Sequence, residues 1–138
     1  MKPQLKFFQT SSQSIERKGP YMKADRKLRL TLNKIYHRES LRGSDLRNLY
    51  FTCMDFAGMD LQYTNFEGAR LNRGVLNGTD LRNANLSNTD LTNANFHAAN
   101  LTGAIFRNAI VAGANFTDVK GLTTEIKTYL KSKGATGL

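Results

Sequence analysis

The sequence predicts a solenoid, and two observations carry that prediction. From Leu41 to Phe116 every fifth residue is Leu, Phe or Val: Leu41, Leu46, Phe51, Phe56, Leu61, Phe66, Leu71, Leu76, Leu81, Leu86, Leu91, Phe96, Leu101, Phe106, Val111 and Phe116. At 40% apolar composition such an unbroken run arises by chance on the order of a few times in a million, so it is the feature to explain first. The second observation is that the neighbouring positions repeat on the same grid. Asp or Asn often stands one residue before the apolar centre, Gly or Asn two residues after it, and a small residue two before it.

A period of five is neither the 3.6 of a helix nor the 2 of a strand, and on a helix it drifts by ~140° per repeat. A chain that bends once per repeat aims each apolar centre inward, and stacked turns of such a chain bury a continuous core. Gly at the bend supplies positive φ, and Asn or Asp bonds nearby backbone. The small column has room only for Ser, Thr, Ala or Gly, as in Ser44, Thr64, Ala69, Gly74 and Thr79.

The emerging motif is A-[DN]-[LF]-x-x, as in Ala84-Asn85-Leu86-Ser87-Asn88 and Ala94-Asn95-Phe96-His97-Ala98. It resembles the pentapeptide-repeat family, over roughly 80 residues. That resemblance implies an all-β solenoid, a right-handed quadrilateral parallel β-helix with four repeats per coil, here about four coils. Residues 20 apart then stack, giving columns such as Phe56, Leu76, Phe96 and Phe116, at ~4.8 Å per coil.

In chain order, residues 1–20 read as a flexible basic arm, sparse in apolar residues and ending at Gly19-Pro20. Residues 21–40 read as a capping segment. Leu28, Leu30 and Leu32 alternate with Arg29, Thr31 and Asn33, which favours a strand over 27–33, while Met22, Leu28, Leu32 and Ile35 nearly fit one helix face. Residues 41–120 form the β-helix. Its first coil carries the bulky Leu49, Met54 and Met59 in the small column, which predicts a wider or distorted coil. Residues 121–138 predict a helical cap and tail. Thr123 or Thr124 caps a helix to about Ser132, with Ile126, Tyr129 and Leu130 on one face and Gly134 ending it. A lid on the last coil is the expected role, a dimer interface the alternative.

Charge is unevenly placed. Residues 1–40 hold ten Lys/Arg against three Asp/Glu, residues 41–118 six against seven, and residues 119–138 four against one. The wall is near neutral and both ends are basic, within a total of +9. One cysteine, Cys53, precludes an intramolecular disulfide and favours a reducing compartment, so cytoplasmic residence is expected. No apolar run approaches the ~20 residues of a membrane span. The start lacks a signal-type apolar core, and an organelle presequence stays open because Ser11, Ser12 and Ser14 follow basic residues.

No catalytic or metal-ligating pattern stands out, and no cofactor is implied. His37 and His97 are isolated, and the glycines lie on the five-residue grid. Asp60 and Asp80 fall 20 apart, and stacked carboxylates ordinarily raise a pKa, but turn chemistry explains their recurrence. Stacking also places Arg70 between Tyr50 and Asp90, for a cation–π contact and an ion pair, and Arg47 over Glu67. The function expected is therefore a non-enzymatic, rigid protein–protein interaction scaffold or regulator, as monomer or homodimer, with an unknown protein partner. Candidate contact residues are Ile105, Ile110, Tyr50, Val75 and Arg70, the first four exposing apolar surface where the repeat is usually polar. The alternative is nucleic acid or an acidic membrane surface held by the basic termini. A branch of the resembling family imitates DNA to protect type II topoisomerases, which relies on an acidic rod, and the near-neutral wall here fits that poorly.

Overall fold

The computed structural model describes residues 21–138, with side chains from residue 26 onward. The arm expected over 1–20 lies outside the described residues. The chain divides into two units at the Glu39–Ser40 junction.

In the first unit, helix α1 spans Tyr21–Tyr36. The strand favoured over 27–33 is therefore corrected. Seven alternating residues fit either period, but they sit within sixteen residues rich in the helix formers Lys, Arg and Leu. Along α1 Leu28 and Leu32 are half-buried and Ile35 is buried, spacings of four and three, while Leu30 is exposed. The helix ends in a Schellman motif. Arg38 takes φ 56°, its N–H donates to Ile35 O at 3.1 Å, and Glu39 N–H reaches back to Lys34 O at 2.9 Å.

In the second unit the chain turns once every 20 residues. Asp45 bridges Asn65, Tyr50 bridges Arg70, Asp55 bridges Val75 and Asp60 bridges Asp80, all in parallel, and this offset persists to Asn100 and Lys120. Four five-residue units thus separate each stacked pair. From Leu41 to Leu101 the N–H of each inward residue donates to the coil ahead, as Leu86 to Ile105 O at 2.8 Å. The N–H of the residue before it donates to the coil behind, as Asn85 to Thr64 O at 2.9 Å.

Each corner is a four-residue turn, and all but the one at Leu46–Leu49 are closed by a bond such as Ala84 N–H to Leu81 O, 3.0 Å. The third residue of every corner, from Gly43 to Asp118, has positive φ, as a type II turn requires. Gly or Asn fills most of these sites. Cys53, Tyr63, Arg73, Ala98 and Asp118 fill the rest with φ between 57° and 60°, a left-handed conformation that costs such residues ~1–2 kcal/mol each.

All sixteen apolar centres are buried. Phe51, Phe56 and Phe66 meet edge to face at 5.5–6.3 Å. Phe96 stacks on Phe116 at 4.8 Å and 9°, the spacing of adjacent coils. In the small column, buried Thr hydroxyls are satisfied by donating to backbone, Thr64 to Leu41 O at 3.1 Å and Thr89 to Phe66 O at 2.9 Å.

The first coil keeps the common path, but its corner at Leu46–Leu49 is the one without a closing backbone bond among the described residues. Met54 and Met59 close their corners at 3.0 Å, and Phe51 N–H donates to Arg70 O at 2.7 Å. Leu49 and Met54 stay half-exposed rather than prising the wall apart, and only the flexible Met59 is buried.

Past Lys120 the path changes. Helix α2 spans Thr124–Ser132, and the Thr123 side chain accepts from Ile126 N–H. Leu130 is its buried residue. The chain then returns to pair with the last coil, Gly113 N–H donating to Gly134 O and Phe116 N–H to Thr136 O, both at 2.9 Å.

Candidate interaction surface

The wall is built from the residue just before each inward centre. Where this is Asp or Asn, its side-chain oxygen accepts the N–H two residues on. Asp45, Asp55, Asp60, Asn65, Asp80, Asn85, Asp90, Asn95, Asn100 and Asn115 all do so, at 2.9–3.2 Å. The recurring acids are thus turn elements. This also removes the acid–base reading of Asp60 and Asp80, since neither carboxyl is raised. The Arg82 guanidinium, bonded to Asp80 at 2.6–3.1 Å, holds that carboxyl below its ordinary value. Partial burial of Asp60 acts upward but is outweighed by hydrogen bonds from Gln62 and Ser40.

Five wall sites carry no such acceptor: Tyr50, Arg70, Val75, Ile105 and Ile110. They are also the sites singled out by the sequence. Tyr50 is 64% exposed, Ile110 55%, Ile105 49% and Val75 36%. Tyr50, Arg70 and Ile110 share one face through the bridges Tyr50–Arg70, Arg70–Asp90 and Asp90–Ile110. Ile105 lies on the adjacent face above Asn85, and Val75 on the next, between Asp55 and Asn95. The structure therefore brings Ile105 and Ile110 to neighbouring faces of one coil but leaves Val75 apart from them.

Arg70 covers the Tyr50 ring at 5.0 Å, as stacking predicts. The ion pair expected with Asp90 is absent among the described residues, and Asp90 accepts instead from the Thr92 N–H and hydroxyl. Arg47 pairs with Asp45 at 2.9 and 3.0 Å rather than with Glu67. A carboxylate fixed by its own turn already faces the side chain two residues on. Cys53 is exposed and free.

Two features escape the sequence. Arg42 covers Tyr63 at 5.1 Å, a pair whose only signal is a 21-residue separation. The second is a cleft of about 430 Å³ between the last coil and α2, lined by Ala104, Ile105, Phe106, Arg107, Glu125, Ile126 and Tyr129. Helix α2 therefore runs beside Ile105 without covering it. Among the described residues no His, Cys, Asp and Glu group could hold a metal ion, and no helix is long and apolar enough to cross a membrane.

A family profile described as pentapeptide repeats matches residues 40–78 and 79–118, in 8 copies. The chain belongs to the pentapeptide-repeat family. Among solved structures it is similar to a pentapeptide repeat protein from the Arabidopsis thaliana thylakoid lumen, at 28% identity and TM-score 0.54, over 71% of this chain and 79% of that one. It is also similar to a pentapeptide repeat protein from Nostoc PCC 7120, at 25% identity and TM-score 0.39, over 78% and 94%. A plasmid-mediated fluoroquinolone resistance protein follows at 23% identity and TM-score 0.30, over 59% and 50%. A search of curated proteins finds no match. Membership in the pentapeptide-repeat family implies a right-handed quadrilateral β-helix, and the family is generally structural rather than catalytic.

Proposed function

We propose that this pentapeptide-repeat protein is a non-catalytic scaffold or regulator, a rigid rod that presents its wall to a protein partner. The observation that carries this reading is the pair Ile105 and Ile110. At sites where ten other residues close a turn with a side-chain oxygen, these two forgo that bond and expose apolar surface instead. Tyr50, Val75 and Arg70 extend the same departure to other parts of the wall. The solenoid has about four coils, and α2 with the segment after it caps the last of them. The pairing of Gly134 and Thr136 with the edge supports that role. Cytoplasmic residence rests on the lone thiol, and the thylakoid-lumen source of the Arabidopsis relative names the competing compartment.

The test is affinity capture from the native host with the full chain and with Ile105→Asp plus Ile110→Asp. The double variant is expected to melt within a few degrees of the parent and to lose the captured partner. Retention of the partner overturns the reading, and so does a collapse in melting temperature, which would mean that the chain itself buries these residues. The basic C-terminal segment, with exposed Lys127, Lys131 and Lys133, favours a second reading, contact with a polyanion. Capture that disappears steeply with added salt and survives the double variant supports it.

A further inference from the structure

The ladder is incomplete on two faces of the last coil. Elsewhere each inward N–H donates to the coil ahead, and each carbonyl of the small column accepts from it. Among the described residues, the N–H groups of Phe106, Asn108 and Val111 and the carbonyls of Ala104 and Ala109 have no backbone partner. The returning tail satisfies only the next face, at Gly113, Ala114 and Phe116. An unpaired parallel edge is a template for a further strand. This edge also forms one wall of the apolar cleft, since Ala104–Arg107 line it in sequence opposite Ile126 and Tyr129.

We propose that this edge receives an extended peptide segment of a partner protein, added as a parallel strand in the place a fifth coil would occupy. The inference deepens the scaffold reading and rests on it. The register is set by the ladder itself. One peptide residue donates its N–H to Ala104 O and accepts from Phe106 N–H, as Ile105 does with Ala84 O and Leu86 N–H one coil earlier. That residue stacks on Ile105 and sends its side chain into the cleft, so it is large and apolar. The residue two further on stacks over the exposed Arg107, so it is Asp or Glu. The surrounding segment favours acid as well, with Lys120, Lys127, Lys131 and Lys133 against Glu125 alone. Glu125, which lines the same cleft as Arg107, is the one charge there that opposes an acidic residue. Main-chain bonds supply affinity and the two side chains supply selectivity, the division found in strand-addition complexes.

The experiment uses the full chain against a displayed library of nine-residue peptides, followed by amide exchange with the selected peptide. Enriched sequences are expected to share an apolar–any–acidic motif. Phe106 and Asn108 amides are expected to gain protection of roughly tenfold or more, and N-methylation of the pairing peptide amide to weaken binding roughly tenfold. Arg107→Glu, at an exposed site, should turn the preference from acidic to basic. The inference is overturned if no motif is enriched, if the bound peptide leaves these amides unprotected, or if Arg107→Glu leaves the preference unchanged. Concentration-dependent protection without peptide identifies a second copy as the occupant and overturns it too. A host partner that is lost in the Ile105→Asp, Ile110→Asp variant but binds without protecting the edge overturns this inference alone. A partner indifferent to that variant overturns the scaffold reading.

Discussion

Asn85 and Ile105 are stacked one above the other and bonded alike, yet they serve different ends. Asn85 N–H donates to Thr64 O at 2.9 Å and Ile105 N–H to Ala84 O at 3.0 Å. The main chain is therefore indifferent to which of the two side chains stands there. Only Asn85 closes its turn, by accepting Ser87 N–H at 3.0 Å. Asp90 and Ile110 repeat the contrast on the adjacent face, Asp90 accepting Thr92 N–H at 3.0 Å. Burial and the ladder hold the coil, and the residue before each centre is a local supplement. A site whose structural share is small is free to be spent on recognition.

The largest effect is expected one residue further in. Leu86→Asp places a carboxylate at a fully buried centre and is expected to cost several kcal/mol, on the order of 4 or more, or to prevent folding. Asn88→Asp, on the exposed corner, is expected to change stability by less than ~1 kcal/mol. Circular dichroism melts that tolerated both equally would overturn the inward assignment.

A smaller effect is expected at the corners. Gly113 has φ 70°, and a Cβ there would run into the Asn93 carboxamide of the coil before. Gly113→Ala is expected to lose ~1–2 kcal/mol in denaturant unfolding. A neutral result would show that the column relaxes freely. Smaller again, and opposite in sign, is the pair Ile105→Asn and Ile110→Asn. Restoring the missing acceptor at two turns is expected to raise stability by ~0.5–1.5 kcal/mol in total, while weakening capture of any partner that uses these sites. Loss of stability would mean that the isoleucines contribute more to the coil than their exposure suggests.

The smallest effect is the pH dependence of the wall acids. Arg82 lowers the Asp80 carboxyl in the folded chain below its ordinary 3.8. Its contribution is fully present above that ordinary value and is lost as pH falls through the lowered folded value. The pair is exposed, so the contribution is modest. Comparing melts of the parent and Asp80→Asn, the gap between them is expected to shrink below pH 3.8. A gap that widens with acid would reverse the assigned sign.

The solenoid was legible because one physical constraint, a bend every five residues, writes itself on every position of the grid. The inward centres, the small column and the turn acids all follow from it. The segment before it is ambiguous in sequence because Leu28, Leu30 and Leu32 satisfy two periods, and the sixteen-residue length of α1 decides what seven residues do not. The ion pairs differ from the stacking expectation because stacking treats residues 20 apart as neighbours, while Asp45 is already aimed at Arg47 by its own turn. The cleft was illegible for a different reason. Ile126 and Tyr129 reach Ile105 only because the chain turns back after Lys120, and no periodicity encodes a return.

The twenty-residue turn also governs how the protein can change length. Inserting or deleting five residues leaves every inward centre inward, so the core survives. It nonetheless turns everything downstream by a quarter of the perimeter, carrying the surface before the indel to a different side from the surface after it. A change of twenty residues restores both. A length that is not a multiple of five shifts the inward centres downstream off the core and brings residues from the other positions of the repeat into it. Homologues of this chain are therefore free to grow or shrink in steps of five while keeping their fold, and only in steps of twenty while keeping surfaces from different coils on one side of the rod.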